Sequence, residues 1–297
     1  MKTDHPVAPL TQTSPSTEQI LELARREVAA REAARAEGAE RPWLWAFVGL
    51  ALVLLLGIFL LPIRGLDYRL QMIVHGVCAQ AHYLNIGGLR MPLCARNTGI
   101  YAGTLGTFAG LLLLRRGRAA KLPPIPITLL LMLGAIAMVV DGLNSMALDL
   151  GGYNLYQPLN QLRVITGLLM GMALGSFMPL IFNISLRRDA CGEQRVIGSW
   201  LEYVALLLGN AGLYLLIFWG PDLLYYPLAL FSVAGIVGVL FACNLFVLAM
   251  VGGLEGRLSR LRQLGRPATF AVALTTVELV LLAGLRMWLE STVPMAM

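Results

Sequence analysis

Seven apolar runs of membrane-crossing length, separated by short polar segments, restrict what this chain can fold into more than any other feature. They lie at about 42–61, 98–114, 125–149, 160–186, 197–219, 224–251 and 268–290. A bilayer's hydrocarbon core takes about 20 apolar residues per helix, so seven spans need about 140 positions. The chain has enough to supply them, with 57% of its 297 residues apolar. Only 13% are charged, about half of what a soluble domain needs to cover its surface. A soluble enzyme, a secreted disulfide scaffold and a disordered chain are excluded. The expected fold is all-α, a polytopic transmembrane helical bundle of about seven spans embedded in the lipid bilayer.

The net charge of +6 reads as a topology signal, because the basic residues sit in short segments between apolar runs. Aromatic residues are not interleaved with a basic stripe, so no nucleic-acid partner is expected. With seven spans, 17 of the 23 basic residues fall on one side: those of the N-terminal tail, Arg115–Lys121, Arg187–Arg195 and Arg257–Arg266. The positive-inside rule predicts a cell-membrane protein with that side and the N-terminus cytoplasmic, and the C-terminus external. The polar tail of residues 1–41 has no apolar core of the kind a cleavable signal peptide carries. Its Ser16-Thr17-Glu18-Gln19 has the spacing of a capping box ahead of a charged helix. Glycines repeat every fourth residue at Gly99/Gly103, Gly106/Gly110 and Gly167/Gly171/Gly175. This pattern predicts close packing of the second and fourth spans.

The polar residues that remain gather at the outer end. Residues 66–84 read as an interfacial helix, with Leu66, Leu70, Ile73, Val77 and Leu84 on one face and Gln71, His75, Cys78 and His82 on the other. Asn85-Ile86-Gly87-Gly88 ends it, and Cys94 leads into the second span. Asp141 and Asn144 lie near the outer end of the third span, and Asn160 and Arg163 open the fourth. Ionisable groups at such depth are costly and face the interior or a cavity, so an outward-facing polar site is expected.

Three chemistries fit these residues. His75, Cys78, His82 and Cys94 are zinc-type ligands, although the two histidines, about 10.5 Å apart along a helix, do not fit one ion comfortably. One His with both cysteines, and Asp141 as ligand or support, is the more economical set. Alternatively, Cys78 and Cys94 form a disulfide, structural or redox-active. Arg96 and Arg163, with Asn97, Asp141, Asn144 and Asn160, make a third arrangement. There Asp141 pairs with an arginine, or the two arginines grip a phosphate or carboxylate.

The strings His75-Gly76-Val77-Cys78-Ala79-Gln80 and Pro92-Leu93-Cys94-Ala95-Arg96-Asn97-Thr98-Gly99-Ile100-Tyr101-Ala102-Gly103 resemble a prokaryotic membrane family catalogued as domain of unknown function 2085. Asp141-Gly142-x-Asn144 and Asn160-x-x-Arg163-x-x-x-Gly167 extend the resemblance over about residues 66–185. In that family the position of Asn97 is often Cys, which leaves a metal site here one candidate ligand short. The resemblance implies no activity. The expected organisation is a tail (1–41), a first span (42–62), a family-like core (63–186) and three added spans (187–297). Three functions are consistent with this reading. One is an enzyme using a metal-bound water, with Asp141 as base, on a lipid-linked or head-group substrate. Another is a transporter or lipid-binding protein that holds an anionic lipid or small molecule through Arg96 and Arg163. The third is a disulfide-stabilised structural or assembly subunit.

Overall fold

A computed structural model of the chain describes residues 17–60, 62, 64–78 and 82–292. The Ser16 end of the expected capping box lies outside them. Helix α1 (Thr17–Leu60) runs without a break from the charged tail into the first span, with Pro42 inside it. After a short α2 (Leu66–Ile73) come a two-stranded hairpin, β1 (Tyr83–Ile86) and β2 (Leu89–Cys94), and α3 (Ala95–Leu113). A short strand β3 (Ala119–Lys121), α4 (Ile125–Asp149), α5 (Asn160–Leu186), β4 (Cys191–Arg195), α6 (Trp200–Trp219), α7 (Tyr225–Val251) and α8 (Gly265–Thr292) complete it.

Six described helical stretches are long and apolar enough to cross a bilayer: Gly38–Leu60 of α1, α4, α5, α6, Asp222–Val251 and Leu261–Thr292. The expected second span is α3, too rich in Gly, Thr and polar residues to count among them. Its position explains how it can be so polar. Arg96, Thr98, Thr104 and Thr107 are buried among α5, α6 and α7, so protein rather than lipid surrounds them.

The glycine repeats set this packing. A Cβ on Gly99 would lie 2.5 Å from the Val164 carbonyl oxygen, and one on Gly167 would lie 2.4 Å from that of Arg96. Helices α3 and α5 therefore meet backbone to backbone, the most extensive helix pairing in the bundle. Gly106 and Gly110 instead face Leu213 and Leu206 of α6. The second repeat thus serves a different neighbour from the first.

The connections gather at two ends. At one, β3 pairs with β4, Leu258 bridges to Arg187, and Asn183 donates to the Gly117 and Ala119 carbonyls. This is the arginine end. At the other, Asn160 donates to the Tyr83 carbonyl and the Tyr225 hydroxyl to that of Arg90. This is the hairpin end. The hairpin turns on Gly87 and Gly88, with φ of +57° and +74°, a two-residue connection that needs positive φ at both positions.

The predicted interfacial helix is much shorter than its periodicity implies. It stops at Ile73, and Tyr83 and Leu84 lie in β1. Two long-range contacts account for the difference. Gly76 lies against the α8 backbone, where a Cβ would come 2.2 Å from the Leu282 carbonyl carbon. Arg286 of α8 donates to the carbonyls of His75 and Cys78, satisfying groups that a continuing helix would pair internally. Gln71, His75, Cys78 and His82 therefore do not share a helical face.

Candidate polar site at the hairpin end

Asp141, fully buried on α4, is the centre of the site. Arg96, from the first turn of α3, donates to its Oδ2 from Nε (3.1 Å) and Nη2 (2.6 Å), and to its backbone carbonyl at 3.0 Å. The Tyr156 hydroxyl donates to Oδ1 at 2.9 Å, and Thr166 approaches Oδ2 at 3.5 Å. Ser145 stands one helical turn beyond Asp141. Its Oγ accepts from Arg96 Nη2 at 2.9 Å and from Arg163 Nε and Nη2, both at 3.4 Å. Arg163 Nη1 completes the set with a 3.0 Å bond to Asn160 Oδ1.

Asn144 brings Tyr156 into this cluster. Its Oδ1 accepts from the Leu155 amide at 2.6 Å and the Tyr156 amide at 3.4 Å, while its Nδ2 donates to the Tyr156 carbonyl at 2.9 Å. The α4–α5 connection is thus folded back over the helix ends with its tyrosine pointing inward. Burial first, and then the bond to Asp141, pushes the Tyr156 hydroxyl above its ordinary range. It stays a donor at all physiological pH values.

The structure places Arg96, Asp141, Asn144, Asn160 and Arg163 in one hydrogen-bonded cluster. It adds Ser145, Tyr156 and Thr166, which sequence reading missed. Ser145 lies four residues from Asp141 and Thr166 three from Arg163, so helical spacing from the charged residues would have found both. Tyr156 has no such local signal. Asn97 contributes a backbone N–H to Cys94.

The proposed ligand set His75, Cys78, His82 and Cys94 divides. Cys78 and Cys94 are buried and not joined by a disulfide. The Cys94 thiol is hydrogen-bonded with Cys78, and that bond, with burial, pushes it well above its ordinary range. The nearby Arg96 guanidinium and the Asn97 amide oppose this but do not overcome it. The histidines have turned to carboxylates elsewhere. His75 Nε2 lies 3.0 Å from Glu290 Oε2, and His82 Nε2 lies 3.2 Å from Asp149 Oδ1. Among the described residues no three His, Cys, Asp or Glu side chains group as a metal site would require. The economical zinc set is therefore not assembled, because the turn that ends α2 after Ile73 takes His75 off the expected face.

Several other polar groups on the apolar helices have partners elsewhere in the fold. Glu202 pairs with Arg116, Asn210 donates to Thr107 Oγ1 at 3.1 Å, and Asn244 donates to Glu278 at 2.8 Å. Arg286 bonds Glu290 at 2.7 Å, not Glu278.

Residues 78–177 match the family model described as a predicted membrane protein (DUF2085). The matched segment contains every member of the Asp141 cluster, whereas Arg286 and Glu290 lie outside it. No curated protein and no solved structure matches the chain.

Proposed function

With the match over residues 78–177 as premise, we propose that this multi-pass membrane protein binds a small anionic group, a phosphate or carboxylate, at its hairpin end. The observation that carries this reading is the environment of Arg163. The residue is only 4% exposed, yet its acceptors are the neutral oxygens of Asn160 and Ser145. Charge-assisted bonds from a guanidinium to an anion run about 2.7–2.9 Å, and those to Ser145 are 3.4 Å. Asp141, the one carboxylate at the centre, is committed to Arg96. Among the described residues no carboxylate contacts Arg163; a buried cation without a counter-ion is strongly unfavourable, and an anion beside Ser145 and Arg163 would supply one. Positive-inside topology puts this end outside the cell and the N-terminus in the cytoplasm, so the anion would arrive from the external face.

The competing enzyme reading asks Asp141 to act as a base. Its carboxylate already accepts from Arg96 and Tyr156 at 2.6–3.1 Å, so its oxygens are taken up by protein donors and not turned to a substrate. Binding without bond-making fits this geometry better.

Thermal melts of the detergent-solubilised protein in inorganic phosphate, against chloride at equal ionic strength, test the proposal. At one hundred times the dissociation constant, phosphate should stabilise the folded protein by about 2.7 kcal/mol. Arg163→Gln should abolish the shift and Arg163→Lys should retain part of it. Equal shifts in the native and Arg163→Gln proteins, or none in either, would overturn the reading.

The thiol pair favours a further, structural role. A bond between Cys78 and Cys94 would tie the turn after α2 to the start of α3, and a loop of this length contributes about 3 kcal/mol. Diamide treatment is expected to remove the mass of two hydrogens and to raise the melting temperature, with neither effect in Cys78→Ser. Two alkylatable thiols, Cys191 and Cys243, are expected after treatment and denaturation, and four would exclude the bridge.

A further inference from the structure

The arginine end holds a cavity of ≈ 660 Å³ between the turn after α3, the end of α5 and the turn before α8. Arg118, Arg187, Arg260 and Arg262 line it together with Leu112 and Leu261, and among the described residues no acidic side chain joins them. Asp189 is shared by two of these arginines. Arg187 holds it from Nε at 2.9 Å and Nη2 at 3.1 Å, and Arg118 Nη1 lies 3.4 Å away.

Topology accounts for basic residues at this end but not for their convergence. The four arginines come from three separate connections, drawn together by the β3–β4 pairing and by the Arg187–Leu258 bridge. The apolar part of the lining is also unusual. Leu112 and Leu261 are half exposed or more, and the neighbouring Leu113 is 85% exposed, on helix ends that meet the bilayer. A cavity with cationic walls and an apolar rim facing lipid matches an amphiphile with an anionic head. Its volume falls in the range of ligand sites, and guanidinium forks match phosphate oxygens two at a time.

We propose that this cavity binds the phosphate of an anionic phospholipid from the leaflet at the arginine end, with an acyl chain against Leu112 and Leu113. Basic pockets between transmembrane helices commonly hold such head groups. This site is at the opposite end from Arg163, and neither proposal depends on the other.

The test measures retained lipid by native mass spectrometry, after extraction from vesicles of phosphatidylcholine with and without phosphatidylglycerol. Phosphatidylglycerol should be retained in preference to phosphatidylcholine. Arg118→Gln/Arg262→Gln should weaken its retention about 25-fold, at about a factor of five per arginine. Arg115→Gln/Arg195→Gln changes the net charge equally at positions outside the cavity lining and should leave retention within about twofold of the native protein. Circular dichroism and the elution profile check that both variants fold, and Arg163→Gln should retain lipid normally. Equal retention of the two lipids, or equal losses in the two double variants, would overturn the proposal. So would binding of inorganic phosphate with the same arginine dependence in a protein that retains no phosphatidylglycerol.

Discussion

Asp141→Asn is expected to lower the thermal midpoint of the detergent-solubilised protein by about 10 °C, corresponding to about 3–5 kcal/mol. The substitution keeps the side chain's shape and removes its charge. Arg96 and Arg163 would then be two buried guanidiniums with no carboxylate between them, and Tyr156 would face an amide where it now meets an anion. Removing one partner of a buried ion pair is costly because the other charge remains in a medium that solvates it poorly. Removing both is a different matter. Arg96→Met/Asp141→Leu leaves Arg163 with the Asn160 and Ser145 contacts it already has, and should recover more than half of the loss. A midpoint for Asp141→Asn within about 2 °C of the native value, which the same cost scale would class as negligible, would mean that this pair does not hold α3 to α4. A double variant no better than Asp141→Asn would place the loss in packing, not charge.

What the sequence made legible follows from the range over which each signal acts. The bounds of α4 and α5 coincide with the apolar runs 125–149 and 160–186, because lipid imposes hydropathy residue by residue along a span. The pairing of α3 with α5 was legible for a similar reason, since the glycine spacing lies on the helices that use it. Arg96, Asp141 and Arg163 could be grouped because charge is scarce in apolar surroundings and must be neutralised nearby. The α2 region was misread because its decisive contacts come from α8. Nothing within residues 66–84 announces that Leu282 will press on Gly76, or that Arg286 will take the His75 and Cys78 carbonyls. The same holds for Tyr156. Its role depends on Asn144 folding a loop back by twelve residues, and no periodicity reports that. The histidines were assigned to the cysteines by proximity in sequence, whereas Glu290 and Asp149 reach them from other helices.

Within the α3–α5 contact that holds Arg96 near Arg163, Gly171 is the glycine least able to accept a side chain. A Cβ there would lie 2.4 Å from the Ile100 carbonyl oxygen, 2.7 Å from the Thr104 amide nitrogen and 2.9 Å from the Gly103 carbonyl carbon. All three are backbone atoms, so no rotamer change relieves the clash and the helices themselves must part. Gly171→Ala is expected to cost about 3 kcal/mol, at the upper end for overpacking, even though alanine favours the helix by about 1 kcal/mol over glycine. Gly171→Leu should prevent assembly of the bundle. Two other glycines calibrate the effect. Gly110 would meet only the Leu206 Cδ2 methyl, at 2.6 Å, and Gly284 would meet nothing within 4 Å. Gly110→Ala should therefore be nearly neutral, and Gly284→Ala stabilising by up to about 1 kcal/mol. Chemical denaturation of the four variants in mixed micelles gives the order. If Gly171→Ala falls with Gly284→Ala, the two backbones are not in direct contact. If it falls far below Gly110→Ala, the phosphate-dependent melting shift should weaken with it, because Arg96 and Arg163 would no longer be held in register.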